Sequence, residues 1–451
     1  MKVEIFPEST TKRERAETVP VISLPPDKSI FHRLLIVGSL TKSKITIPIP
    51  SIVEVPADVV ATILALESLG VPIEISRSKI ELQGVGINGF RAPKHTINCA
   101  NSGTTARLMM GLLAGQNFSS TLVGDNSLSQ RPMKRLADIL NKELGANIVC
   151  SLAGTLPVEI RPSMLHGGDI ELSVASAQIK TAVMLSAFFT SGAIRAHEPF
   201  QSRNHTELML KSFGSDIEIE SNNAIRLSAN TISSPQEFIY HVPGDVSSAA
   251  FLIAAAIFAR KNISLVNVGL NPTRIRFLEL LIESGFGIEI SDIKDEWNEK
   301  SGIIEIFAEE TTISKAFQIS VEDIPLIIDE IPILAVISAF CNGNTIFSHV
   351  GELRHKESDR IRALTNNLRA FGVSVDEVED GFSVRGDENF IPCGGIIEHY
   401  GDHRIAMAMS VLALKAEEPV TISNAEIVSV SYPNFYRDLA LITWKGRIKI
   451  S

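Results

Sequence analysis

Cations, small polar groups and carboxylates recur in this sequence at the points where apolar helical patterns begin. In PPDKSIFHRLL, Lys28 and Ser29 stand at a helix entry and Arg33 lies about one turn inside it. A helix N-terminus carries free N–H groups and a partial positive charge, which suits phosphates and carboxylates. With those cations the segment suits a dianion; as an isolated motif it reads equally well as a solvated first turn. NSGTTARL offers Asn101 as a helix cap and Gly103 as a position where a missing Cβ lets a ligand approach the backbone. Taken alone, Asn-Ser-Gly is also an ordinary turn. SQRPM adds Arg131, SAQIK adds Ser176 and Gln178, and SRNHTE adds Arg203.

Proton chemistry enters in the last third. IDEIPILAVISAF puts Asp329 at the start of an apolar helix, where a carboxylate is either a plain cap or a positioned acid or base. HKESDR gathers Lys356, Glu357, Asp359 and Arg360 ahead of another helix. That run is either a surface salt-bridge cluster or a proton-transfer carboxylate set among anion-binding cations. GDHRIAM closes the series with Asp402, His403 and Arg404 at the mouth of a helix that is otherwise apolar.

Positioning so many helix starts requires a regular scaffold. Helical patterns open near Asp27, Asn101, Ser176, Asp245, Asp329 and Asp402, at intervals of about 75 residues. A second helix follows each of them, near Asp58, Pro132, His205, Pro272, Ser358 and Pro433, and most of these run into a Gly stop. β-branched runs such as 120–124, 73–84 and 373–386 lie between. The sequence thus reads as an α/β chain of six strand–helix–strand–helix–strands repeats. Three repeats fall before Tyr240 and three after Pro243. The strand-like segment 19–26 is expected to pair with the later three, which makes two crossovers.

Composition narrows the function classes. With 45% hydrophobic and 21% charged residues, 451 residues are enough for two globular cores. The longest apolar stretch, Ala249 to Ala259, is far short of the ~20 residues that span a bilayer. Met1 to Arg15 lacks the apolar run of a secretion signal, so a cytoplasmic location is expected. The four cysteines show no CxxC or Cys/His spacing, so neither zinc nor a disulfide framework is expected. A formal charge of -10 disfavours nucleic acid as a partner without excluding a local basic pocket.

In order along the chain, DKSIFHR, NSGTTARL, SQRPM, SAQIK, SRNHTE, PGDVSSAAF, IDEIP, HKESDR, GDHRIAM and SYPNF resemble the EPSP synthase family, the 3-phosphoshikimate 1-carboxyvinyltransferases. The resemblance implies a two-domain inside-out α/β barrel, each domain three copies of a βαβαββ unit: residues 1–22 with 243–451, and 23–242. It implies helix N-termini that face an interdomain cleft, which ligands close. It implies transfer of the enolpyruvyl group of phosphoenolpyruvate to the 5-hydroxyl of shikimate 3-phosphate by a monomer, with no metal, cofactor, nucleic acid or membrane partner. By motif, Lys28, Ser29, Arg33, Ser176, Gln178, Arg203, Asp329 and Lys356 are similar to the family's shikimate 3-phosphate site. Lys28, Gly103, Arg131, Gln178, Arg360 and Arg404 are similar to its phosphoenolpyruvate site, where the inhibitor glyphosate also binds. Asp329 and Glu357 match its two proton-transfer carboxylates.

The pattern is broken at Pro26, Phe31 and Ala177, where the family often has Gly, Ser and Ser, and at Leu108, where glyphosate-sensitive relatives often have Pro. It is also broken at Val430, where some members carry a Lys for phosphoenolpyruvate. Two rival readings remain. A sister transferase acting on UDP-N-acetylglucosamine usually carries a Cys, occasionally an Asp, in the loop that here reads GDNSLSQRPM, and it lacks KESDR and DHRIAM. A binding protein that retains the fold without turnover would not need both Asp329 and Glu357.

Overall fold

The computed structural model describes residues 1–7, 18–52, 55–228, 232–311, 315–443 and 446–451. Most of the 1–15 segment discussed above lies outside the described residues. Among the described residues six apolar helices form: Lys28–Leu40, Gly103–Ala114, Ala177–Ser186, Val246–Ala259, Ile331–Ser338 and His403–Leu412. Each is buried on nearly all sides, as a helix without a polar face must be. Four start at the caps expected: the side chains of Asp27, Ser176, Asp245 and Asp402 accept from backbone N–H groups of the first turn. Such a cap stabilises by about 1 kcal/mol.

Two starts differ from expectation. Ser102, not Asn101, caps Gly103–Ala114 by accepting from Thr105 N at 3.1 Å. The helix after Asp329 begins at Ile331, with Pro332 in its first turn and no side-chain cap. Proline belongs in the first turn, where its missing N–H is no loss, and this sets the start beyond Asp329.

By contact the chain divides into two compact units. One comprises Met1–Pro25, Pro243–Lys294 and Lys300–Ser451; the other comprises Pro26–Val242 and Asp295–Glu299. In the second, three four-stranded sheets enclose the helices. Lys44–Pro48, Ser120–Val123 and Ile194–His197 each pair in parallel with a leading strand and antiparallel with a hairpin strand. Strand burial alternates, as in Val158–Arg161, so one face covers the helices and the other meets water. Helix Gly103–Ala114 packs so closely on Ala177–Ser186 that a Cβ on Gly111 would lie 2.1 Å from the Ala182 carbonyl oxygen. Trp297, in the short Asp295–Glu299 segment, stacks on Tyr240 in this unit with ring centroids 5.9 Å apart.

The first unit repeats the plan. Two of its sheets have four strands; the third, Gly343–Ser348 with Gly381–Gly386 and Ser374–Val378, has three among the described residues. Val3–Ile5 lies between Val420–Ile422 and Ile448–Ile450, so strands from both ends of the chain complete one sheet.

Two leading strands are exchanged. Val21–Ser23 runs directly into helix Lys28–Leu40 of the second unit, yet it pairs with Ile263–Gly269 in the first. Glu237–Ile239 precedes helix Val246–Ala259 of the first unit, yet it pairs with Lys44–Pro48 in the second. The chain therefore changes unit at Pro25–Pro26 and at Val242–Pro243. Among the described residues no helix is long and apolar enough to cross a membrane.

Candidate functional site

Asp329 is not a helix cap. It sits in the turn between the short helix Ile324–Ile327 and Ile331–Ser338, and its carboxylate is surrounded by cations. Arg360 Nη1 lies 3.2 Å from Asp329 Oδ1, Lys356 Nζ 3.7 Å from the same oxygen, and Arg404 Nη2 3.8 Å from Oδ2. Arg404 also donates to the Asp329 carbonyl at 2.9 Å, which fixes the backbone as well as the side chain.

Arg360 organises this group. It is buried; its Nε donates to Asp402 Oδ2 at 2.8 Å, Nη1 meets Asp329, and Nη2 makes a short bond to Glu357. One guanidinium therefore holds Asp329 and Glu357 on its two terminal nitrogens. Burial opposes its charge, but Asp402, Glu357 and Asp329 outweigh that and raise its pKa above the ordinary arginine range. The HKESDR run divides accordingly. Asp359 caps helix Arg360–Ala370 and pairs with Arg354 at 2.9 Å, a structural role, whereas Glu357 belongs to the Arg360 cluster.

The second unit assembles its own cationic group. Lys28 Nζ lies 2.9 Å from Asp58 Oδ2, both about 15% exposed. Arg33 is buried and bonds Thr206 Oγ1 at 2.7 Å, Thr181 Oγ1 at 2.9 Å and the Ser29 carbonyl at 3.0 Å. It thereby joins three helices. Arg203 Nη1 reaches Ser29 Oγ at 3.4 Å. Gln178 accepts from Arg107 Nη1 at 2.7 Å and donates to Thr104 Oγ1 at 2.9 Å. Ser176 caps the helix that carries Gln178. Asn101, displaced from its expected capping role, accepts from Arg131 Nη2 at 2.7 Å and donates to Asp125 at 2.7 Å.

At Gly103 a Cβ would stand 3.1 Å from Arg107 Nη1 and 3.2 Å from Arg131 Nη1, so glycine leaves both guanidinium groups in place beside a helix N-terminus. Behind it runs a buried chain: His32 Nδ1 to Thr62 Oγ1 at 2.7 Å, Thr62 to Thr105 Oγ1 at 2.7 Å, and Thr105 to the capping Ser102 Oγ at 2.8 Å. Burial, aided by the positive charges of Lys28 and Arg33, pushes His32 down to about 3, so the ring is neutral and serves as a fixed hydrogen-bonding group.

The family model for EPSP synthase (3-phosphoshikimate 1-carboxyvinyltransferase) matches residues 13–439. The chain belongs to the EPSP synthase family. It is 40% identical over 442 residues to the 3-phosphoshikimate 1-carboxyvinyltransferase of Petrotoga mobilis, covering 96% of this chain and 98% of the relative. To that of Desulforamulus reducens it is 39% identical over 417 residues, covering 92% and 94%. The solved EPSP synthase from Acinetobacter baumannii superposes with a TM-score of 0.81 at 32% identity over 100% of both chains.

Against the EPSP synthase pattern, the departures at Pro26, Phe31 and Leu108 are all buried, and Phe31 and Leu108 belong to the core. Ala177 follows Ser176, whose hydroxyl already supplies the helix cap. Val430 ends the 3-10 helix Ala425–Val430 half-buried and brings no cation. In the sequence Asp58 stands only as a helix start, and neither it nor Arg107 is marked as part of the site. Arg107 had a local signal, four residues after Gly103 and hence on the same helix face; Asp58 had none, because its partner Lys28 lies 30 residues away. Among the described residues no group of three or more His, Cys, Asp or Glu side chains is placed to hold a metal ion.

The neutral His32 makes stability depend on pH. Its folded pKa lies below the unfolded value of about 6.5, so the unfolded chain binds the extra proton in between, and stability is lost as pH falls from about 6.5 toward 3. His32→Gln, which cannot ionise, should show a shallower loss of melting temperature across that window. An unchanged slope would show that His32 is protonated in the folded protein.

Proposed function

We propose that the two groups of side chains act on the same pair of substrates in the reaction of the EPSP synthase family. That reaction transfers the enolpyruvyl group of phosphoenolpyruvate to the 5-hydroxyl of shikimate 3-phosphate, giving 5-enolpyruvylshikimate 3-phosphate and phosphate. Lys28, Ser29, Arg33, Ser176, Gln178 and Arg203, with Asp329 and Lys356, hold shikimate 3-phosphate. Lys28, Gly103, Arg131, Gln178, Arg360 and Arg404 hold phosphoenolpyruvate. In this reading the two compact units correspond to the family's two domains, expected at 1–22 with 243–451 and at 23–242; the units differ from these bounds at residues 23–25 and at Asp295–Glu299.

Asp329 and Glu357 move the protons. The 5-hydroxyl loses a proton as its oxygen bonds to C2 of phosphoenolpyruvate, while the methylene carbon gains one and becomes a methyl group. The resulting tetrahedral ketal phosphate then loses phosphate from C2 and a proton from the methyl group, which restores the double bond. One carboxylate must accept a proton while another group supplies one. The observation that carries this assignment is the bidentate use of Arg360 by Asp329 and Glu357: a single buried cation keeps both carboxylates in fixed positions.

The enzyme is proposed to work as a single chain in the cytoplasm; light scattering that showed a stable dimer, or fractionation that placed it outside, would contradict this. Phosphate release is the direct assay. It should require both substrates, and Asp329→Asn and Glu357→Gln should each lower turnover by about 10² or more while the circular dichroism spectrum is retained. Near-native turnover in either variant would remove that residue from proton transfer. In the same assay glyphosate should compete with phosphoenolpyruvate, and Gly103→Ala, whose methyl group presses on Arg107 and Arg131, should weaken the longer inhibitor more than the substrate. Equal loss of both would place the inhibitor elsewhere.

A further inference from the structure

The helix that Ser176 caps also carries Lys180, the centre of a further charged cluster that the reaction does not use directly. Lys180, 1% exposed, pairs with Glu198 Oε1 at 2.6 Å and Glu207 Oε1 at 2.7 Å, and both carboxylates are themselves buried. Burial alone would lower the lysine pKa; Glu207 and Glu198 outweigh it, the pKa is raised, and the ammonium stays charged. Buried ion pairs are poor stabilisers, because desolvation offsets their attraction and well-packed apolar groups of the same size often do better. What this one fixes is therefore more informative than what it stabilises.

It fixes the backbone next to Arg203. Residues 198–204 form an irregular segment between strand Ile194–His197 and helix His205–Ser212. Within it, Ser202 N donates to Glu198 Oε1 at 2.8 Å, and Lys180 Nζ donates to the Ser202 carbonyl at 3.4 Å. Both polar groups of the Ser202 backbone are thus held by the ion cluster, one residue before Arg203. On either side the same helices are joined by Arg33, through Thr181 next to Lys180 and Thr206 next to Glu207, with the two threonine hydroxyls 2.6 Å apart.

We propose that Lys180 and Glu198 are positioning residues for Arg203, and that binding of the phosphorylated acceptor, more than turnover, depends on this buried cluster. The mechanism is entropic: an arginine on an irregular segment binds a phosphate well only if its backbone is already ordered, since ordering it on binding would subtract from affinity. The inference rests on the assignment of Arg203 to shikimate 3-phosphate made above.

Steady-state kinetics separates the two. Glu198→Gln weakens the tie to Lys180 while keeping an acceptor for Ser202; it should raise KM for shikimate 3-phosphate about 10-fold, leaving kcat and KM for phosphoenolpyruvate within about 2-fold. Combined with Arg203→Gln it should add nothing further, the non-additivity expected of residues acting through one another. A wild-type KM in Glu198→Gln, or effects that multiply in the double variant, would overturn the proposal and leave the cluster a purely structural one. Should Glu198→Gln fail to fold, the neutral Lys180→Met/Glu198→Gln/Glu207→Met variant should show the same KM shift, and a wild-type KM there would overturn it too. Wild-type KM in Arg203→Gln alone would refute the assignment of Arg203, and the proposal with it; a raised KM in Arg203→Gln beside an unchanged Glu198→Gln refutes the proposal alone.

Discussion

A helix with no polar face has to be enclosed, and the described residues of this chain form six of them. In each unit the sheets do the enclosing, with one face on the helices and the other in water. Polar chemistry is then confined to the helix ends, where backbone N–H groups are unpaired and a dipole favours anions. The repeat places a helix N-terminus at each primary start, five of the six with a side-chain cap, and the motifs that carry lysines, arginines and carboxylates cluster there. Fold and site are in this sense one requirement: burying the helix sides leaves their starts as the places where charge can gather.

Charge is the main difficulty of the reaction. Two unit charges 4 Å apart interact by about 4 kcal/mol at the effective dielectric near a protein surface, and both substrates are multiply anionic. The cations proposed to offset this repulsion need partners of their own when no substrate is bound. Lys28 has Asp58, and Arg360 has Asp402, Asp329 and Glu357. The carboxylates that restrain the cations in the first unit include the two proposed to move protons, so positioning and proton transfer use the same ion pairs. Lys356, Arg360 and Arg404 all lie against Asp329 in that group.

The parts of this arrangement that depend on neighbours in sequence were legible there. Asp27, Ser176, Asp245 and Asp402 each precede an apolar run and each caps it. The hairpin around 373–386 forms where its β-branched residues flank a turn. Asn101 and Ser102 are both good caps, and nothing local shows that Arg131 and Asp125 draw Asn101 away. Asp329 reads as a cap until Pro332 is seen to set the helix start beyond it. The pairing of Lys180 with Glu198 and Glu207, and of Lys28 with Asp58, joins separate elements, so it required the fold itself. The exchange of Val21–Ser23 and Glu237–Ile239 is half visible, since segments 19–26 and 238–244 flank the first three repeats and the early one reads as belonging with the later repeats, while nothing local joins the other to Lys44–Pro48.

In the proposed reaction the enolpyruvyl group passes through a state in which the methylene carbon has been protonated and C2 carries both oxygens. The most direct measurement is turnover in deuterium oxide, with the product analysed by proton NMR and mass spectrometry. Protonation followed by elimination predicts deuterium in the vinyl methylene of 5-enolpyruvylshikimate 3-phosphate, because a solvent-derived proton enters the methyl group and any of its three hydrogens can leave. A product whose vinyl methylene carried protium alone would mean that the group is transferred without passing through the methyl stage, and the roles given to Asp329 and Glu357 would be contradicted.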